Sequence, residues 1–201
     1  AVAALRPGRR MNWHVGLSSE EEISAIRRYV DVISFDIVGD AQTARDVYGL
    51  DVGLVDYMAT FDMLRKYAPV VPHITIGLHC GELSGERAAL EALRERDVET
   101  VVFLILIPTE GTAYAECAPP PVLEVTNLLL ESRIRLPDTT IYLGCMRPPG
   151  RYRQAIDELA VRAGLNGIVN PTRAAERTAQ ELGLNASWGD ECCALPQMSP
   201  S

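Results

Sequence analysis

The stretch Pro72–Glu86, PHITIGLHCGELSGE, combines a strand, a loop and the start of a helix. Its apolar run Ile74–Ile76 predicts a buried strand, and Glu86 opens the helical sequence ERAALEALRERD. Three glycines in the loop can bring the backbone close to a ligand, because glycine has no Cβ. α/β proteins bind ligands in such loops, at the carboxyl ends of their strands. A tight connection without a ligand is the commoner use of such a turn.

The rest of the chain repeats this strand-then-helix unit at intervals of roughly thirty residues. The predicted strands are Arg10–Gly16, Val30–Phe35, Ile74–Ile76, Thr100–Ile107, Thr139–Leu143 and Asn166–Val169. The predicted helices are Ser18–Val30, with a capping box of Ser18 and Glu21, Val52–Tyr67, Glu86–Asp97, Pro121–Arg133, Arg151–Gly164 and Thr172–Leu184. Residues 36–49 are interpreted as a polar loop, and residues 185–201 as an irregular tail. Apolar strands alternating with amphipathic helices indicate a parallel sheet covered by helices.

Polar loops follow nearly every predicted strand, and they decide between two kinds of parallel sheet. Six units fit an open doubly wound sheet or an incomplete (β/α)8 barrel. The loops are HVGLSS, SFDIVGD, GLHCGELSGE, IPTEGT, GCMRPPG and NPTR. A doubly wound sheet concentrates such residues at one switch point, whereas a barrel collects them in a ring. The sequence therefore predicts an α/β fold, an incomplete (β/α) TIM-type barrel of about six units over residues 1–184.

Composition and charge exclude several classes of partner. The net charge of −8 argues against nucleic acid and against an anionic membrane surface. The longest apolar run, Val101–Ile107, is too short to span a membrane, and no apolar signal segment follows the N-terminus, so we expect a cytoplasmic protein. The five cysteines include no CxxC pair, and their odd number and scattered positions argue against a zinc ribbon and a secreted disulfide framework.

Five segments, taken in order, resemble one enzyme family. They are HVGLSSEEE, SFDIVGDAQTARDVYGL, ITIGLHCGELSGE, LILIPTEGTAY and IYLGCMRPPGRYRQAIDELAVRAGLNGIV. Over Met11–Leu184 the chain is similar to radical S-adenosylmethionine enzymes of the biotin synthase and lipoyl synthase kind. The resemblance implies S-adenosylmethionine and a [4Fe–4S] cluster as cofactors, and hydrogen abstraction from an unactivated carbon followed by sulfur insertion. The substrate would be a small molecule or a lipoyl- or acyl-type group.

The chain departs from this family in one respect, because it lacks the CxxxCxxC loop that holds the cluster. Three explanations stay open: a missing N-terminal segment, a partner chain that supplies the loop, or a relic barrel that cannot make a radical. The start at Ala1 and the count of six units where eight are expected favour the first.

The resemblance assigns cofactor contacts to three loops. Gly77, Gly81 and Glu86 would lie beside the adenosyl group, although a carboxylate at a helix start is favoured without any ligand. Thr109 and Gly111, with the neighbouring Thr112, would form a second backbone edge, or only a turn. Arg147, near Arg151 and Arg153, would bind the methionyl carboxylate or an acidic substrate through its guanidinium.

Substrate contacts are expected from Asp36, Asp40 and His14. Solvated loop carboxylates and a satisfied core histidine are the alternatives; His73 and His79 are weaker candidates of the same kind. Cys145, Cys192 and Cys193 would hold an auxiliary iron–sulfur cluster if the tail folds back over Cys145, with Cys80 as a further ligand. Adjacent cysteines ligate one metal awkwardly, so free thiols stay the alternative.

Two other functions stay open. The first is a non-radical barrel lyase or isomerase that uses Asp36, Glu86 and Arg147 on an acidic small molecule. It has no obvious lysine nucleophile, because the only lysine, Lys66, lies in a predicted helix. The second is a non-catalytic barrel that completes or regulates another subunit.

Overall fold

The computed structural model describes residues 9–190 and 192–195 of the 201-residue chain. The strands are β1 (Asn12–Val15), β2 (Val32–Asp36), β3 (Val70–Ile76), β4 (Thr100–Ile105), β5 (Thr140–Leu143) and β6 (Gly167–Ile168). The helices are α1 (Glu20–Ile26), followed by a 3₁₀ turn (Arg27–Tyr29), α2 (Ala41–Tyr48), α3 (Leu54–Leu64), α4 (Glu86–Arg94), α5 (Val122–Arg135), α6 (Arg151–Arg162) and α7 (Arg173–Glu181).

All six strands form one parallel sheet in the order β1-β2-β3-β4-β5-β6. A doubly wound sheet would reverse its order at a switch point, and this sheet does not. The prediction of an incomplete (β/α) barrel is therefore confirmed. Within the described residues β1 and β6 are edge strands, so the barrel is not closed.

The outer face of the sheet packs against the helices and contains the main core. Alternate strand residues point to this face, as the two-residue period of a strand requires. Among the largest side chains with almost no solvent exposure, Phe35 and Phe103 come from strands and Phe61 from α3. The same cluster takes in Leu90 of α4 and Leu128 of α5. Burial of these apolar faces is the main force that holds strand and helix together.

The opposite face, called the inner face below, carries a second and smaller apolar cluster. It consists of Val32, Val71, Val102 and Leu104, with Ala194 of the C-terminal tail packed against them. Ala194 is fully buried. The tail residues Cys192–Leu195 form a turn in which the Leu195 N–H donates to the Cys192 carbonyl at 2.9 Å. Part of the predicted irregular tail is therefore seated on the sheet.

The structure corrects three local predictions. Residues 41–48, read as part of a loop, form α2, which begins after the N-cap Asp40 and ends at Gly49 in the left-handed region (φ 67°). The capping box of α1 is formed by Ser19 and Glu22, one residue later than predicted. Strand β3 begins at Val70 rather than at Ile74. None of the described helices is long and apolar enough to cross a lipid bilayer.

Candidate functional site

An ion pair lies on the inner face at the carboxyl ends of the first two strands. His14 Nε2 and Asp36 Oδ2 are 3.0 Å apart, and their side chains are 51% and 40% exposed. The hydrogen bond with Asp36 raises the pKa of His14 above its ordinary value of 6.5, against the smaller opposing effect of burial. The shift favours the protonated, charged form of His14, and both side chains of the pair can be reached from solvent. The structure brings together two of the residues that the sequence predicts to contact substrate.

His73 extends this pair across the sheet. The parallel register places Asp36 opposite His73, and the His14 and His73 rings lie 5.3 Å apart between centroids. The Nδ1 of His73 lies 3.0 Å from the Val71 carbonyl, which can only accept a hydrogen bond, so Nδ1 carries the proton and Nε2 keeps its lone pair. Burial lowers the pKa of His73 below 6.5. The pKa values of the two histidines are thus shifted in opposite directions, which is an arrangement suited to acid–base chemistry.

Asp36 retains an acceptor that nothing in the described structure uses. Its Oδ1 atom is buried and has no hydrogen-bond partner there. Burial, followed by the nearby Asp36 carboxylate, raises the pKa of Tyr48 to about 12 and also raises the pKa of Tyr57. A buried oxygen without a partner is costly, and it would gain one if the Asp36 side chain turned toward a ligand hydroxyl or ammonium. We call His14, Asp36 and His73 the inner-face cluster.

Asp40, the other predicted substrate carboxylate, is engaged within the protein. Its Oδ1 accepts the Thr43 N–H at 2.8 Å and caps α2, while its Oδ2 accepts the Ser84 hydroxyl at 2.8 Å. Although burial acts to raise the pKa of Asp40, these hydrogen bonds hold it below its ordinary value. In this structure Asp40 joins the loop after β2 to the loop after β3.

The glycines of the β3 loop make room for the chain itself. Gly77 and Gly81 have φ angles of 72° and 89°, in the left-handed region. A Cβ on Gly77 would lie 2.7 Å from the ring of Pro120, and one on Gly81 would overlap the Ala118 carbonyl oxygen. The loops after β3 and β4 therefore touch through backbone that only glycine allows.

A disulfide between Cys80 and Cys117 joins the same two loops; we call it the loop disulfide. It corrects the suggestion that Cys80 is a cluster ligand, because a disulfide sulfur is not a thiolate. Disulfides are uncommon in cytosolic proteins. Cytoplasmic localisation stays a prediction.

Glu86 has a structural role in this loop. It is 6% exposed, and its carboxylate accepts the N–H groups of Gly77 at 2.7 Å and Ser84 at 2.8 Å. Burial raises the pKa of Glu86, and the backbone hydrogen bonds oppose this. The cavity beside it has a volume of about 10 Å³, which is room for one water molecule. As the loop stands, an adenosyl group has no space between Glu86 and the loop after β2.

Thr109 and Gly111 form a self-contained turn after β4. The Thr109 hydroxyl donates to the Ile107 carbonyl at 3.0 Å, and the Thr112 hydroxyl donates to the Thr109 carbonyl at 2.7 Å. Gly111 is exposed, has a φ of 80° and has open space where a Cβ would be. Contact between this turn and a cofactor stays a prediction.

Arg147 is buried in an ion pair. It is 1% exposed, and its Nε donates to Asp157 Oδ1 at 2.6 Å. Other guanidinium donors bind the carbonyls of Gly144, at 2.6 Å, and Asn170, at 3.1 Å. Asp157 Oδ2 also accepts the Thr172 N–H at 2.7 Å. Arg147 thus ties together the loops after β5 and β6, and it leaves little capacity for a ligand carboxylate.

Cys145, Cys192 and Cys193 are free thiols, and the tail carrying two of them folds over the inner face, as the cluster prediction required. Across residues 9–190 and 192–195, however, no three His, Cys, Asp or Glu side chains are arranged to hold a metal ion. The donor set therefore does not fit an auxiliary cluster. The CxxxCxxC loop is also absent from the sequence, so the described part of the chain has no site that fits the radical cluster.

His73, a weaker candidate in the sequence, lies in the inner-face cluster, whereas the Asp157 partner and the loop disulfide were not expected from the sequence. The signal for His73 lies in the strand register, since β2 and β3 pair Asp36 with His73. Nothing in the local sequence around Asp157 marks it as the partner of Arg147.

The strand order, the helices on one face and the ring of polar loops define an incomplete α/β barrel. No family model matches the sequence, and no curated protein does. Among solved structures the chain is similar to methylornithine synthase (PylB), with a TM-score of 0.63 and 14% identity over 90% of this chain and 60% of that one. It is also similar to HydG, a maturase of the [FeFe]-hydrogenase, with a TM-score of 0.58 and 13% identity over 87% of this chain and 42% of that one. The chain thus spans less than two thirds of either neighbour, and the likeness establishes the fold.

Proposed function

We propose that this chain is the substrate-facing part of a radical S-adenosylmethionine enzyme, and that the substrate binds at the inner-face cluster. The observation that carries the proposal is the pairing of His14 with Asp36, at 3.0 Å, in the ring of loops where barrel enzymes bind substrate. The barrel shared with methylornithine synthase and HydG supports it, together with the ordered resemblance over Met11–Leu184.

The residues of the inner-face cluster would orient substrate and handle protons. The buried Oδ1 of Asp36 would accept from a substrate hydroxyl or ammonium once the side chain turns toward it, and His14, whose pKa is raised, would donate to a carboxylate or carbonyl. The neutral His73 can accept a proton from a group bound between the two rings. The iron–sulfur cluster and S-adenosylmethionine, when bound, would supply the radical chemistry, and the completed barrel would exclude water.

The iron–sulfur cluster would be held outside the residues described here, on a further segment or on a partner chain. Contacts of Gly77, Gly81, Glu86, Thr109 and Gly111 with S-adenosylmethionine stay predictions. The first three now hold the β3 loop together, so the loop would have to shift to admit the cofactor. Sulfur insertion also stays a prediction, and a biotin- or lipoyl-type substrate stays with it.

The test is anaerobic purification of the full-length protein from its source, with whatever segment or partner accompanies it. We expect bound iron and sulfide, and formation of 5′-deoxyadenosine from S-adenosylmethionine when dithionite is added. The variant Asp36→Asn should keep this uncoupled cleavage while losing affinity for substrate, because Asp36 serves the substrate. Iron near four per protein would argue against sulfur insertion, and iron near eight, lost in a Cys145/Cys192/Cys193 serine variant, would support it. A protein with no iron and no cleavage would contradict the proposal.

The inner-face cluster also favours a second candidate, a non-radical barrel lyase or isomerase. Two histidines whose pKa values are shifted in opposite directions, beside a carboxylate, can run acid–base chemistry without a redox group. Glu86 and Arg147 drop out of its catalytic set, because both are engaged in the scaffold. Activity that survives air and an iron chelator would select this candidate, whereas a radical enzyme loses activity under both.

A further inference from the structure

The two adjacent tail cysteines bring their sulfurs together on the inner face. Cys192 Sγ and Cys193 Sγ are 3.9 Å apart. Side chains of successive residues in extended chain point to opposite sides, which would keep the sulfurs apart. The turn over Cys192–Leu195, closed by the hydrogen bond from the Leu195 N–H to the Cys192 carbonyl, places both sulfurs on one side.

The two thiols differ in their surroundings. Cys192 is exposed, whereas Cys193 is half-buried with its Sγ 3.9 Å from His73 Nε2. Burial, and then the neighbouring sulfurs, raise the pKa of Cys193 to about 12. The His73 nitrogen that faces Cys193 is Nε2. It carries no proton, because the proton of the neutral ring is on Nδ1, which contacts the Val71 carbonyl. Cys192 is therefore the thiol that reagents reach first, and Cys193 has a proton acceptor beside it.

We propose that Cys192 and Cys193 form a reactive dithiol on the inner face, which a small-molecule disulfide oxidises to a Cys192–Cys193 disulfide. The Cys192 thiolate attacks one sulfur of the small disulfide, forming a mixed disulfide and releasing one thiol. Cys193 Sγ then attacks Cys192 Sγ and expels the second sulfur of the small molecule, while the Cys193 proton passes by way of His73 Nε2 to that departing sulfur, which leaves as a thiol. The two cysteines are oxidised, and the small disulfide is reduced to two thiols. The role is independent of the proposed radical chemistry.

Oxidation has a structural consequence for the inner face. The sulfurs must approach from 3.9 Å to the roughly 2.05 Å of a disulfide, so the Cys192–Leu195 turn must rearrange. Ala194 lies in that turn and is fully buried against the apolar cluster of β2, β3 and β4. Forming the Cys192–Cys193 disulfide therefore changes the packing of Ala194 and the solvent exposure of His73.

The experiment treats the full chain with excess oxidised glutathione and maps the products by peptide mass spectrometry. We expect a Cys192–Cys193 disulfide that carries no glutathione, with the loop disulfide intact, while the exposed Cys145 is open to a glutathione adduct of its own. Cys145→Ser is the matched control and should form the same product. Cys193→Ser should stop at a glutathione adduct on Cys192, because the thiol that resolves the adduct is missing.

Carbethoxylation of His73 by diethyl pyrocarbonate gives a second readout, and its rate should rise in the oxidised protein because the Cys193 sulfur beside His73 Nε2 is drawn toward Cys192. Three thiols that persist in excess oxidant, or a product that joins Cys145 to either tail cysteine, would overturn the proposal. So would a Cys193→Ser variant that forms no glutathione adduct. An unchanged His73 rate in the fully oxidised protein would overturn the link to the inner face.

Discussion

Removing the charge of Asp157 should destabilise the protein more than any surface substitution. Both side chains of the Arg147–Asp157 pair are 0% exposed, and the carboxylate also binds the Thr172 N–H. The variant Asp157→Asn keeps the shape and leaves the guanidinium charge buried without its counter-charge. Breaking a buried pair in this way costs about 3–5 kcal/mol. In a chain of 201 residues that corresponds to a fall in Tm of roughly 6–20 °C.

Urea unfolding followed by circular dichroism measures this cost, provided that the slope with urea is unchanged. The double variant Arg147→Met with Asp157→Leu should cost less than Asp157→Asn alone, because no buried charge remains; the groups that lose a partner are the Gly144 and Asn170 carbonyls and the Thr172 N–H. A loss below about 1 kcal/mol in Asp157→Asn would refute this reasoning. Arg147 would then be able to turn toward solvent, as its predicted role in binding a carboxylate ligand requires.

Three further predictions concern the β3 loop, the inner face and the loop disulfide. Gly81→Ala should lower the free energy of unfolding in urea by about 2–4 kcal/mol, because the left-handed backbone is strained and the added Cβ overlaps Ala118. Gly16→Ala, whose Cβ would have nothing within 4 Å, should change it by no more than about 0.5 kcal/mol. Equal effects of the two substitutions would contradict the close contact. In NMR titrations His14 should titrate above 6.5 and His73 below it. The ion pair of His14 with Asp36 then stabilises the fold fully below pH 6.5, and this contribution is lost as the pH rises through the pKa of folded His14. The control is Asp36→Asn, in which the pKa of His14 should not be raised. A shift that persists in this variant would exclude the ion pair as its cause. Reducing the loop disulfide, which closes a 37-residue separation, should cost about 4 kcal/mol, and no change in the urea midpoint would mean that the loops hold without it.

The fold could be predicted because its signals are local and repeated. Each buried strand is a short apolar run, and each helix has its own capping and periodicity, so the unit count followed from sequence alone. Helix α2 was missed because AQTARDVY has few apolar residues to mark a buried face. The sequence nevertheless contains the signals for its two ends, the N-cap Asp40 and Gly49, which adopts the left-handed conformation after the last turn.

The candidate site could be predicted only in part, because its contacts depend on positions far apart in the chain. His14 and Asp36 were expected near substrate, but their meeting with His73 depends on the register of three strands. The need for glycine at position 81 comes from the close approach of Ala118, which lies far along the chain in the loop after β4. A glycine-rich loop looks the same in sequence whether a ligand or another loop fills the space.

Some residues in the ring of polar loops are held by contacts within the protein and others are exposed, and this difference indicates where a ligand can enter. Gly81 meets the loop after β4, Asp40 meets the β3 loop, and Arg147 meets Asp157, so most of the ring is closed by its own contacts. His14 and Asp36 stay about half exposed at β1 and β2. Since β1 is an edge strand of the described sheet, whatever strand bonds to its open side would lie next to this pair. A segment or partner that completes the barrel would therefore form the missing wall of the proposed substrate site.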